Sequence, residues 1–214
     1  MIIAIVQTKG GVGKTTLAVN LAVERVVRGK RHLLLVDADE QGTASDFAAL
    51  RAERLGTTGY QAVQLSGNDV RSYVLAKKKK YDDIVIDTGG RDSQGLRAAL
   101  TVADIALMPF QPRSFDVWTL DKVANLISEA KGFNKRLRAY ALLNCADAGG
   151  PDNIAAAVTL AEHPDIAYLD AAIGRRKAFA NSGAIGLSVL EASPIDRKAC
   201  DELTRLADRL AALG

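Results

Sequence analysis

Eight residues near the start of the chain, Lys9–Thr16 (KGGVGKTT), leave few folds open. Ile2, Ile3, Ile5 and Val6 lead into them, and a helical pattern follows as far as Arg28. Strand, glycine loop and helix in that order form a phosphate-binding loop. Gly10, Gly11 and Gly13 let backbone N–H groups close around phosphate oxygens with no Cβ in the way. Val12 and Thr16 fall within the same cradle. A helix starting beside Gly13 turns the positive end of its dipole toward that anion. Lys14 has the reach to meet β- and γ-phosphates, and the Thr15 hydroxyl can ligate Mg²⁺. Lys9, five residues earlier, is not required by the general pattern. Two cations at one triphosphate would meet the charge of γ-phosphoryl transfer twice.

The rest of the chain alternates buried-strand and helix patterns. Strands are expected over residues 2–7, 32–37, 60–65, 81–87, 103–108 and 138–144, with shorter ones over 166–173 and 186–190. Helices are expected over 13–28, 43–55 (Phe47 and Leu50 facing the core), 69–80, 114–132 (capped by Ser114) and 151–162. A last helix opens near Ser193, Pro194 and Asp196, with Ala199, Leu203, Leu206 and Leu210 on one stripe. No composition break or internal repeat appears. The expectation is one α/β domain over residues 1–214, a doubly wound, mainly parallel sheet with helices on both faces.

Two strands end in aspartate, and ligands of open parallel sheets bind beyond the strands' carboxyl ends. Asp87 closes YDDIVID, where a carboxylate should hold the metal of a nucleotide site. Asp37 and Asp39, in the VDADEQG segment, are two apart and would share a strand face if the strand continued.

The 214 residues, 48% hydrophobic and 25% charged, carry a net charge of only +3, so a polyanion surface must come from local clusters. Arg175, Arg176 and Lys177 form the densest one. Arg197 and Lys198 can join it, as can Lys131, Lys135, Arg136 and Arg138; the alternative is scattered solvated charge. The run Lys77–Lys80 reads as a solvated helix end. Cys145, Cys200, His32 and His163 form no metal-ligand spacing, which suits a reduced, cytoplasmic compartment. No leader or ~20-residue apolar span is expected.

KGGVGKTT, VDADEQG, VIDTGG, MPFQPRSFD and LLNC together resemble the deviant Walker A ATPases of the ParA/MinD family, most closely the short ParA type without an N-terminal DNA-binding domain. The resemblance implies ATP and Mg²⁺ as cofactors and a homodimer that forms on ATP, with Lys9 crossing to the partner's nucleotide. It implies Asp87 as the Walker B residue, Asp37 near the magnesium, Asp39 assisting hydrolysis and Asn144 meeting adenine. It further implies nonspecific DNA binding on the nucleoid, and a cargo- or centromere-binding protein that stimulates turnover. Glu40 stands where relatives commonly have proline, and Gly89–Gly90 replaces a commoner Pro-Pro, so both switch segments should be more mobile. A membrane-positioning role in the manner of MinD, or a metabolic role on the same fold, are the alternatives. The mixed charges of residues 201–213 disfavour the first.

Overall fold

The computed structural model describes all residues except Lys30, residues 113–116, Ala148 and Gly150, and the side chains of residues 117 and 118. In chain order the elements are β1 (Ile2–Ile5), α1 (Lys14–Val27), β2 (Leu33–Ala38), α2 (Thr43–Leu55), β3 (Gln61–Gln64), α3 (Asp69–Lys77), β4 (Asp83–Thr88) and α4 (Gln94–Leu100). They continue as β5 (Ile105–Phe110), α5 (Val117–Phe133), β6 (Arg138–Ala146), α6 (Pro151–Ala161), β7 (Ala167–Tyr168), β8 (Ile173–Gly174), α7 (Lys177–Gly183) and α8 (Arg197–Ala211).

The strands lie in the order β3-β2-β4-β1-β5-β6-β7, with β8 pairing the far end of β6, and every pair is parallel. Parallel sheets need cover on both faces, and the sequence supplies apolar residues for both. Ile2, Ala4, Leu34, Val36, Ile84 and Ile86 point to one side, where α3, α4, α5 and α6 complete the core. Ile3, Ile5, Leu33, Leu35, Val85 and Leu107 point to the other, under α1, α2, α7 and α8. Burying each of the Val, Leu and Ile side chains among them stabilises the fold by roughly 1.5–3 kcal/mol. This is the doubly wound α/β fold expected. The central placement of β1 between β4 and β5 sets the glycine loop beside the carboxyl end of β4, with β2 next along.

Several expectations need correction. Residues 186–190 form no strand: Gly186 turns at φ +71°, and the Val189 N–H is taken by the Asn20 side chain rather than by a neighbouring strand. Residues 166–173 split into β7 and β8, because Leu169 and Ala171 turn into the core between two separate contacts with β6. The basic stretch GRRKAFANSG contains a helix, α7, that buries Phe179. Helix α4, capped by Ser93 accepting from the Leu96 N–H, was not anticipated. Helix α3 stops at Lys77, and Leu50 is exposed while Phe47 is buried. Asp196 is the N-cap of α8, its carboxylate accepting from the Ala199 N–H. The cap expected at Ser114 lies outside the described residues. The stripe Ala199, Leu203, Leu206 and Leu210 is buried, as the pattern required. Among the described residues no helix is long and apolar enough to cross a membrane.

Candidate functional site

The glycine loop runs from the end of β1 to the start of α1. Gly13 caps the helix at φ +90°, a conformation only glycine adopts without strain. Lys14 is buried, and its Nζ donates to the Lys9 carbonyl at 3.3 Å, folding back over the loop. Burial lowers the Lys14 pKa, while the charges of Asp87 and Asp39 oppose that shift. Lys9, Thr15 and Thr16 are half-buried, Val12 is buried, and Gly10 and Gly11 are exposed on the outer rim.

Asp87 and Asp37 are register partners on adjacent strands, and Asp87 also pairs with Ile5 of β1. Asp37 is fully engaged: Oδ1 accepts from the Asp39 N–H at 3.2 Å, and Oδ2 from the Ser45 N–H and hydroxyl at 2.8 and 2.9 Å. Asp87 is fully buried and neither oxygen has a hydrogen bond of good geometry. Its pKa is pushed up to about 7, first by burial and then by Asp37 and Asp39. The nearby Thr15 hydroxyl and Lys14 ammonium pull the other way. An orphaned carboxylate beside a phosphate-loop threonine suits a hydrated Mg²⁺. Such ions are commonly held by one or two carboxylates plus substrate phosphates, not by a protein cage. Among the described residues no cluster of three or more His, Cys, Asp or Glu offers a cage instead.

Asp39 lies just past β2, half-buried, with Oδ1 capping the Gln41 N–H at 3.1 Å. A Cβ on Gly89 would stand 3.4 Å from that Oδ1, and one on Gly90 would stand 3.1 Å from the Gly10 Cα. The two glycines thus permit a close approach between the loop after β4, the phosphate loop and Asp39. Asn144, at the end of β6, is buried and its Nδ2 donates to the Val12 carbonyl at 2.7 Å. It braces the phosphate loop from the sheet. The next residue, Cys145, has φ +53°, and the β6–β8 register shifts between Asn144 and Ala146. Here strand geometry is broken to aim a side chain at the loop.

A family model described as an AAA domain matches residues 1–78. Maintenance of carboxysome distribution protein A from Gloeobacter kilaueensis is 33% identical over 217 residues, covering 95% of this chain and 94% of that protein. The chain belongs to the ParA/MinD family of ATPases. The protein of the same name from Halothiobacillus neapolitanus is 25% identical over 97% of this chain and 95% of its own length. The chromosome-partitioning ATPase Soj of Thermus thermophilus is 30% identical over 66% of this chain and 67% of its own. The fold also matches apo McdA of Cyanothece (TM-score 0.79, 16% identity, 98% of both chains). It matches the cell division ATPase MinD of Pyrococcus furiosus as well (TM-score 0.76, 22% identity, 100% and 99%).

The basic residues of this ParA/MinD-family chain divide between two ends of the sheet. Arg175, Arg176 and Lys198 line one cavity of about 280 Å³ with Arg205. Arg175, Lys177, Arg197 and Lys198 are exposed, whereas Arg176 is held by Glu202 through bonds of 2.5 and 2.9 Å. Arg136 and Arg138 sit at the opposite end, where β6 begins, and so do not join that cluster. Sequence reasoning missed four positioning residues. Gln7 accepts the Thr8 N–H, Gln111 donates to the Gly11 carbonyl, Ser45 holds Asp37, and Asn20 ties residues 188 and 189 to α1. For Asn20 a signal was available, a polar residue amid the apolar face of a helix.

Proposed function

We propose that the chain is a positioning ATPase that hydrolyses Mg²⁺-ATP slowly, pairs two copies face to face on ATP, and binds DNA without sequence preference in that state. A cargo-borne partner protein would stimulate hydrolysis and so release it. The whole of residues 1–214 would act as one ATPase domain, nucleoid-associated in the cytoplasm. The observation that carries this reading is the unpartnered, buried Asp87 carboxylate beside Lys14 and Thr15, with Asp39 on the facing loop. The relatives that match from end to end, named for carboxysome distribution, support cargo positioning as the output.

Each group has a role that its surroundings suit. Lys14 neutralises phosphate charge at the head of α1, where burial strengthens its field. Asp87 and the Thr15 hydroxyl would hold Mg²⁺, which supplies charge neutralisation between phosphate oxygens. Asp37, tied to Ser45, fixes the start of α2 next to that carboxylate. Asp39 is free enough to orient a water for attack, and Lys9 would reach the partner's nucleotide. Asn144 would fix the base side of the pocket while bracing Val12. Exposed Arg175, Lys177, Arg197 and Lys198 would meet DNA phosphates. The apolar stripe of α8 is buried against the domain, which argues against a membrane-anchoring role.

The test is ATP turnover with and without nonspecific duplex, alongside duplex retention in ATP and in ADP. The account expects stimulated turnover and retention in ATP alone. Equal retention in both nucleotides would contradict it.

A further inference from the structure

At the opposite end of the sheet from the glycine loop lies a larger cavity, about 940 Å³, within the range that holds small-molecule ligands. Its wall is built from segments that precede strands and from the last turns of α1 and α8. Five arginines line it: Arg25, Arg28, Arg31, Arg136 and Arg138. By the length of α1 it stands about 20 Å from the phosphate loop.

Arg25 is the informative member. Its side chain is only 9% exposed, yet its Nε and Nη2 have no hydrogen-bond partner. The nearest carboxylate, Asp83, is 3.9 Å away and already accepts from Arg31 Nε at 3.1 Å. Arg28 is satisfied by Glu24 and Asp208 at 2.6 and 2.5 Å. Arg136 and Arg138 are exposed and make no ion pair among the described residues. Asp83, Glu24 and Asp208 are taken up by Arg31 and Arg28, and Asp104 accepts from the Ile2 N–H, which leaves Arg25, Arg136 and Arg138 without a hydrogen-bonded carboxylate among the described residues. A buried guanidinium without a full set of partners is costly, and a charged guest that completes its neutralisation removes that cost.

We propose that this cavity is a second anion site, distinct from the nucleotide site, that takes a small ligand carrying two or more phosphoryl groups. Arginine forks match phosphate oxygens bidentately, and three arginines without full partners around one cavity call for a multivalent guest. Glu24 Oε2 is also buried and unpartnered on this wall. It sets the phosphates toward Arg25, Arg136 and Arg138 and leaves a place for a hydroxyl donor of the ligand. A concave site with its central arginine below the surface suits a small phosphate better than the rigid backbone of a duplex.

The probe is inorganic tripolyphosphate, titrated calorimetrically without divalent metal into the full chain carrying Lys14→Ala, which disables the phosphate loop. Saturable binding at one per chain is expected. Arg25→Met should weaken it by about tenfold or more, and the surface pair Arg136→Ser/Arg138→Ser, which leaves the core untouched, by a similar factor. Circular dichroism confirms that each variant is folded. Absence of saturable binding, or binding indifferent to both variants, overturns the proposal. So does a short DNA duplex that binds through the same arginines and displaces the tripolyphosphate, since the surface is then a nucleic-acid contact.

Discussion

Asp37 and Asp87 are neighbours in register on β2 and β4, and their carboxylates meet opposite fates. Asp37 accepts three hydrogen bonds from Asp39 and Ser45, while Asp87, one strand nearer the glycine loop, has none of good geometry. Burial first, and then the neighbouring Asp37 charge, raises the Asp87 pKa, and a cation at that carboxylate would relieve both.

The first consequence is a pH dependence of stability. Asp87 has a folded pKa of about 7 against an ordinary 3.8, so between those values the folded chain keeps a proton that the unfolded chain has released. Stability is therefore lost as pH rises through that window, by up to about 4 kcal/mol from this group. Asp87→Asn should flatten the loss in nucleotide-free, metal-free protein, as measured by denaturant melts from pH 4 to 8. Parallel profiles for the two proteins would rule out a raised pKa.

The Asp39 side chain faces the loop after β4, through its approach to Gly89, while its backbone N–H serves the buried Asp37. Asp39→Ala should lower ATP turnover on the order of 10²-fold while leaving ATP affinity within about threefold. Steady-state turnover and equilibrium nucleotide binding measured on the same preparation separate the two.

Gly90 faces the Gly10 backbone, where an added Cβ would stand 3.1 Å from Cα. Gly90→Ala should displace the phosphate loop and lower turnover by roughly 10²-fold, because small misplacements of reacting groups are costly. Global stability should change by only about 1 kcal/mol, since the contact is local. Turnover together with a urea melt checks both parts.

Asn20 bonds to Thr16, Ser188 and Val189 from inside the core. Asn20→Ala would leave the Val189 N–H and Ser188 hydroxyl unpaired, and should destabilise the chain by about 2–3 kcal/mol. Hydrogen exchange should quicken selectively at residues 186–190, a change that a diffuse packing defect would not give.

The legible parts of this chain were those written in local pattern. The strand–loop–helix around Lys14 and the strands β2 and β4, which carry Asp37 and Asp87 one residue before their ends, follow from apolar runs and glycine spacing, and they lie within two residues of where that pattern put them. Segments held by distant partners were not legible. Residues 186–190 are apolar enough for a strand, but Asn20, far away in sequence, supplies the hydrogen bond a strand neighbour would have given. Helix α4 is short and depends on one serine cap, a weak signal beside the long patterns around it. Ser45 gave no hint that it would hold Asp37, because that contact exists only once α2 turns back over β2. The split of the basic residues likewise follows from topology: Arg138 begins a strand and Arg175 follows one.

The central claim is that ATP joins two copies through Lys9, and the direct measurement is molar mass by light scattering on Asp39→Ala, which should hold ATP unhydrolysed. The mass should double in Mg²⁺-ATP and stay monomeric in Mg²⁺-ADP, and Lys9→Ala added to Asp39→Ala should keep it monomeric in both. An ATP-driven dimer that persists without Lys9, or no dimer in ATP at all, would contradict the account.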